Sequence, residues 1–126
     1  MTVATLVDVA TATANGDSFD RCLANFLDAF YATPLPAALL SEPKLLATQF
    51  GEKGKVQDAY LAATAEELAR QFNFQCPSWT NADGRRLQRP WFASPLAGLR
   101  ALLLLESPAA FRARNIFVSE NALARA

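Results

Sequence analysis

The arginines of the last third of the chain are the residues whose type and spacing could do chemistry. Residues 84–126 hold seven arginines and two acidic residues, whereas residues 1–83 hold five lysines or arginines and ten acidic residues. The net charge of zero is therefore the sum of an acidic front part, residues 1–83, and a basic back part, residues 84–126. Arginine offers a planar fork of donors that binds a carboxylate or a phosphate with two hydrogen bonds. The split indicates either that the two parts pair with each other or that the surface meets a charged partner.

Both tryptophans stand beside these arginines, in the stretch FQCPSWTNADGRRLQRPWFASP. About twenty irregular residues are unusual in a compact domain, and such loops often carry function. Tryptophan is also a frequent anchor at protein interfaces. Two interpretations stay open, because the tryptophans either pin the loop to the core or leave at least one ring exposed. The predicted partner-binding residues are Trp79, Arg85, Arg86, Trp91, Phe92, Arg112 and Arg114.

Catalysis has little support in the composition. The chain has no histidine, which excludes Ser–His and Cys–His nucleophile pairs, a histidine base and zinc sites that need imidazole. Asp17 and Asp20 lie one turn apart, but acidic residues at the start of a helix are ordinary complements to its dipole. The loop GEKGK lacks the spacing of a phosphate-binding loop, so we expect a solvated turn there. We predict no enzymatic activity, no metal and no cofactor.

Localisation follows from the cysteines and from the apolar runs. Cys22 and Cys76 are far apart and form no C-x-x-C motif, so free thiols in the cytoplasm are expected. No apolar run approaches the ~20 residues that cross a membrane. The opening residues contain Asp8 and no preceding basic region, so we do not interpret them as a signal peptide.

The elements that must position these residues are predicted to be helices. Alanine and leucine dominate and β-branched residues are few, which favours helix over sheet. The pattern predicts a helix over residues 2–14, a strongly amphipathic one from residue 18 to 33, and two short helical turns between 35 and 51. A long helix follows over residues 55–73, with a kink or restart near Ala63. The buried face of the second helix is predicted to hold Phe19, Cys22, Leu23, Phe26, Leu27 and Phe30.

The C-terminal third is predicted to hold the most buried helix of the protein. It starts at Ser94 or Pro95 and is apolar on nearly all sides. Two short helices follow, the second capped by Ser119, with Phe111, Ile116 and Phe117 inward and Arg112 and Arg114 at or near the surface. The predicted fold is all-α, a compact single domain over residues 1–126 with five to seven helices and one long ordered loop.

One known family resembles the chain from residue 17 onward, most sharply in the segments PWF (90–92) and SPAAFRARNIFVS (107–119). It consists of small, largely uncharacterised bacterial proteins that occur alone or as the tail of helix–turn–helix regulators. They are often encoded beside a nucleotidyltransferase-like protein, as an antitoxin is beside its toxin. The resemblance implies no catalytic residues. It implies that Trp79, Trp91, Phe92, Phe111, Arg112, Arg114 and Phe117 define the domain.

We therefore expect a non-catalytic cytoplasmic interaction module, of antitoxin-like type, that masks a partner enzyme. The alternative is a DNA-binding or transcription-linked module that uses residues 99–115 as a helix–turn–helix pair. That segment, LRALLLLESPAAFRARN at residues 99–115, lacks the usual turn glycine, its second helix is short, and the pI of about 6.2 is far from basic. A domain this apolar is also compatible with a homodimer.

Overall fold

The computed structural model describes residues 3–94 and 96–125, so the predicted helix starts at residues 2 and 95 lie outside the described residues. The all-α class is confirmed, with a single two-stranded sheet in the described part. The helices are α1 (Leu6–Ala14), α2 (Phe19–Ala32), α3 (Ala37–Leu40), α4 (Ala47–Phe50), α5 (Glu52–Gln71), α6 (Arg100–Glu106) and α7 (Ala109–Arg112). The strands are β1 (Trp91–Phe92) and β2 (Ile116–Phe117), and two short 3₁₀-helices lie at Ser78–Asn81 and Ala97–Leu99.

The first two helices begin at side-chain caps. Thr5 and Asp8 form a capping box at α1, in which each side chain accepts a hydrogen bond from the other residue's backbone N–H. Ser18 caps α2 by accepting from the N–H of Arg21 at 3.3 Å. The amphipathic face predicted for α2 is confirmed, since Cys22, Leu23, Phe26, Leu27 and Phe30 are buried and Phe19 is half-buried.

The centre of the domain is α5. It begins at Glu52, so the flexible loop predicted for GEKGK is wrong, and it runs through Ala63 without a restart. Thr64 caps nothing and instead donates its hydroxyl to the carbonyl of Tyr60 at 2.8 Å. Gly54, in the first turn of α5, faces the start of α4, because a Cβ there would lie 2.4 Å from the carbonyl oxygen of Leu46. The glycine thus lets α4 lie directly against α5.

The prediction that the leucine-rich helix, α6, is the most buried one is wrong. In α6 only Leu103 is buried, and the leucines on either side of it are exposed. The small alanines of α5 let neighbouring elements approach it closely on several sides, and α5 therefore takes the central position. A two-turn helix at the periphery can bury only one face, whatever its other residues are.

The C-terminal segment folds as one helical turn, α7, followed by a strand, β2, rather than as the two helices predicted. β2 follows α7 and pairs in parallel with β1, with Trp91 opposite Ile116 and Phe92 opposite Phe117. The predicted second helix is wrong, since residues 120–123 form a turn. The side-chain hydroxyl of Ser107 accepts from the N–H of Val118 at 2.7 Å, which holds the strand against the end of α6. Phe111, Ile116 and Phe117 are buried as predicted.

None of the helices in the described ranges is both long enough and apolar enough to cross a membrane.

The contact between α4 and α5 predicts a steric cost at Gly54. Gly54→Ala should lower the free energy of unfolding by about 1–3 kcal/mol, because the new methyl group meets backbone atoms that cannot move independently. Gly98→Ala is the matched control, since a Cβ there meets nothing within 4 Å. Urea unfolding of both variants checks this, and equal stability of the two would contradict the packing.

Candidate protein-interaction surface

Arg85 lies wholly inside the protein. Its guanidinium donates to the backbone carbonyls of Asp58, at 3.3 Å, and of Pro43, and to Oε2 of Glu42 at 3.4 Å. The cation also stands 4.9 Å from the centre of the Trp79 ring. Burial lowers the pKa of Arg85, whereas Asp58 and Glu42 act in the opposite direction. Arg85 therefore joins the irregular loop to α5 and to the segment before α4.

The Asp58 carboxylate, on α5, completes this cluster. Its Oδ1 accepts from the N–H of Leu46 at 2.6 Å and lies 3.9 Å from the Arg85 guanidinium, while Oδ2 accepts from the N–H of Ala47 at 3.1 Å. Burial raises the pKa of Asp58, and these backbone donors and Arg85 oppose the rise. The carboxylate thus satisfies backbone donors at the start of α4, which has no cap of its own.

Arg114 is the second buried arginine. It donates to the carbonyls of Ala110 at 2.8 Å and Thr80 at 2.9 Å, and it pairs with Glu66 of α5 at 2.9 Å. It therefore connects three parts of the chain: the 3₁₀-helix of the loop, α7 and the central helix. Its role is to fix the C-terminal segment in place.

Three of the residues predicted to bind a partner are thus corrected to internal positions: Trp79, Arg85 and Arg114. The Trp79 indole donates to the carbonyl of Leu39 at 3.0 Å, so this ring pins the loop to the core. Arg85 and Arg114 are internal because the acidic front part of the chain supplies the carboxylates that they face. Of the two interpretations of the charge split, internal pairing applies to these arginines.

The other four predicted residues keep access to solvent. Arg86 and Arg112 are exposed, while Trp91 and Phe92 are half-buried. The rings of Phe92 and Phe117 stack with their centres 5.1 Å apart, and the guanidinium of Arg100 lies 5.2 Å from the centre of the Phe92 ring. Phe92 thus links the small sheet to α6.

A row of leucines on and before α6 is the surface that sequence reasoning missed. Leu96, Leu99, Leu102 and Leu105 recur every third residue, and 63%, 41%, 51% and 80% of their surfaces are exposed. Leu104 is exposed as well, whereas Leu103 points into the protein. We call Leu96, Leu99, Leu102, Leu104 and Leu105 the leucine surface. A signal existed in the sequence: leucines on all sides of so short a helix cannot all be buried.

An open groove lies between α2, the first half of α5 and the C-terminal segment. Its volume is about 1140 Å³. Aromatic rings from four elements line it, namely Phe19, Phe50, Tyr60 and Trp91, and both acidic and basic side chains line it as well. The groove has no residue in common with the leucine surface. The domain thus has two separate surfaces that could accept a ligand.

Metal ligands do not converge in the ranges 3–94 and 96–125, where no three carboxylates or thiols stand close enough to hold an ion. The two cysteines are free thiols, with Cys22 buried and Cys76 exposed. Burial raises the pKa of Cys22, which keeps that thiol protonated and unreactive.

In comparisons with known proteins, no family model, no curated protein sequence and no solved structure matches the chain. The likeness to the antitoxin-like family therefore stays a prediction from the residues.

The neighbouring arginines 85 and 86 allow a matched test of the buried cluster. Arg85→Met should lower the free energy of unfolding by about 3–5 kcal/mol, because it leaves the Asp58 carboxylate buried without its cation. Arg86→Met should change it by less than about 0.5 kcal/mol, because that side chain is exposed. Chemical denaturation measures both, and equal effects would contradict the assignment.

Proposed function

We propose that the domain is a non-catalytic protein-interaction module that binds its partner through the leucine surface. The exposure of these neighbouring leucines is the observation that carries the proposal. Soluble proteins seldom expose contiguous apolar patches, and those they do expose commonly mark sites of association. The exposed leucines of α6 lie outside the hydrophobic core, and a second molecule that covers them would explain their apolar character.

Exposed arginines supply the polar part of the proposed interface. Arg100 stands within α6 itself, and Arg112 is exposed on the helix that follows. Around an apolar centre, such charges raise the rate of association with an acidic partner more than they raise its affinity. The partner is therefore expected to present an apolar patch with carboxylates at its edge.

The finer form of the proposal is an antitoxin-like protein that masks a partner enzyme, following the family resemblance. The nucleotidyltransferase-like proteins implied by that resemblance use acidic residues, which the exposed arginines would complement. The proposal includes a cytoplasmic location, which the free thiols of Cys22 and Cys76 support.

DNA binding through a helix–turn–helix pair has weaker support. The second helix of such a pair would be α7, which is a single turn and leads directly into β2. A recognition helix needs several residues along the major groove to read bases. A gel shift at rising salt tests this alternative, because phosphate contacts predict a steep loss of affinity.

The leucine surface gives a direct test of the proposal. The double change Leu102→Glu and Leu105→Glu should weaken binding to a co-expressed nucleotidyltransferase-like enzyme, the partner that the resemblance implies, about thirtyfold or more, because buried apolar anchors carry most of an interface's energy. Thermal unfolding should remain unchanged, since both side chains are already exposed. Titration calorimetry and inhibition of the enzyme's activity measure the effect.

The control is Leu40→Glu, which changes a leucine that is 66% exposed on α3, outside the leucine surface. It should bind like the unchanged protein. Binding that survives the double change would refute the proposal. A homodimer that the double change dissociates would show that the surface serves a second copy instead, which sedimentation of the protein alone detects.

The arginine part of the proposal has its own test in Arg112. Arg112→Glu should slow association with the enzyme about tenfold at low salt and leave folding intact, because the side chain is exposed and the reversed charge would repel an acidic partner on approach. Stopped-flow kinetics at two salt concentrations measures the rate. An unchanged rate would mean that Arg112 faces only water.

A further inference from the structure

The groove between α2 and α5 holds a buried polar group that the protein leaves without a partner. Gln57 lines the groove, its residue is only 7% exposed, and no described residue forms a hydrogen bond with its side-chain oxygen. An unpaired buried polar atom costs free energy, so its persistence calls for a hydrogen-bond donor from outside the chain. Gln57 lines the groove, so the groove is a route by which such a donor can reach its carboxamide.

The groove wall around Gln57 is a continuous strip of one helix face. Lys53, Val56, Gln57 and Tyr60 are spaced by three and four residues on α5, and all of them line the groove. The ring of Tyr60 meets that of Phe19 edge to face, with centres 6.1 Å apart. The strip therefore offers one apolar and one aromatic side chain on either side of the carboxamide, with Lys53 at the end away from Tyr60.

The chemistry of a carboxamide suits a peptide backbone. Its C=O and NH₂ groups have the same donors and acceptors as a peptide bond, so one glutamine side chain can both accept from a backbone N–H and donate to a backbone C=O. The volume of about 1140 Å³ is at the upper limit of small-molecule sites, and the groove is open to solvent. Both features fit a polypeptide better than a small molecule.

The end of the groove at the start of α2 is acidic. Asp17 and Asp20 line it there, and no described residue forms an ion pair with either carboxylate. Asp20 lies close enough to Tyr60 to raise its pKa, which burial and this carboxylate together bring to about 12. Aromatic rings beside a carboxylate are a suitable environment for a cation. A lysine or arginine of the ligand would be bound at this end.

We propose that the groove binds a segment of polypeptide that carries a lysine or arginine beside apolar side chains. Gln57 pairs with the backbone of the segment, Phe19 and Tyr60 contact its apolar side chains, and Asp20 pairs with its cation. This site is independent of the leucine surface and does not rest on the proposed function.

The test is selection of peptides from a random twelve-residue phage library against the full chain, followed by fluorescence anisotropy of the selected peptides. We expect the selected sequences to be enriched in lysine or arginine next to apolar residues. Gln57→Met, which keeps the shape but removes both hydrogen-bonding groups, should weaken their binding about tenfold. Asp20→Asn should weaken it about threefold and reduce its dependence on salt.

Two controls separate this site from the rest of the protein. The double change Leu102→Glu and Leu105→Glu should leave peptide binding unaltered, because these residues do not line the groove. Gln57→Met should leave the melting temperature unchanged or raise it, because the side-chain oxygen has no partner to lose. A library that yields no binder, acidic selected sequences, or binding that Gln57→Met leaves unchanged would each overturn the proposal.

Discussion

The buried pair of Asp58 and Arg85 is the interaction on which the rest of the structure depends. Asp58 stands on the central helix and holds the backbone of α4. Arg85 stands on the long irregular loop and donates to the backbone carbonyls of Asp58, on α5, and of Pro43, in the segment before α4. Neither charge could be buried alone, because an isolated ion in the interior is far too costly. The long loop is thereby fixed to α5 through Arg85.

The same central helix explains why an apolar face is left at the surface. The alanines of α5 allow α4, α7 and the 3₁₀-helix of the loop to pack closely around it. Once these elements and α2 have covered the core, only one side of α6 is needed, and Leu103 provides it. The remaining leucines of α6, Leu102, Leu104 and Leu105, stay exposed at the surface of the described part of the chain.

Regular elements with strong local signals could be predicted from the sequence, and the environment of each arginine could not. The apolar spacing and the Ser18 cap identified α2 together with its buried face. By contrast, Arg85 and Arg86 are adjacent and chemically identical, yet one is buried and the other exposed. Which of them meets Asp58 depends on the path of the loop, and the pattern of residue types contains no information about that path. For the same reason the burial of Arg114 could not be separated from the exposure of Arg112.

The charge split along the sequence therefore reflects internal pairing at Arg85 and Arg114 and surface charge at the other C-terminal arginines. Arg85, Arg114 and Arg125 each pair with a carboxylate of the acidic front part, the last with Asp28. These pairs connect segments that lie far apart in the chain, so the charges select one arrangement of the loop and the C-terminal strand. Among the exposed arginines, Arg100 lies on α6 with its guanidinium beside the ring of Phe92. In the proposed interface, the exposed charges would orient the partner on approach, and the leucine surface would then supply the apolar contact.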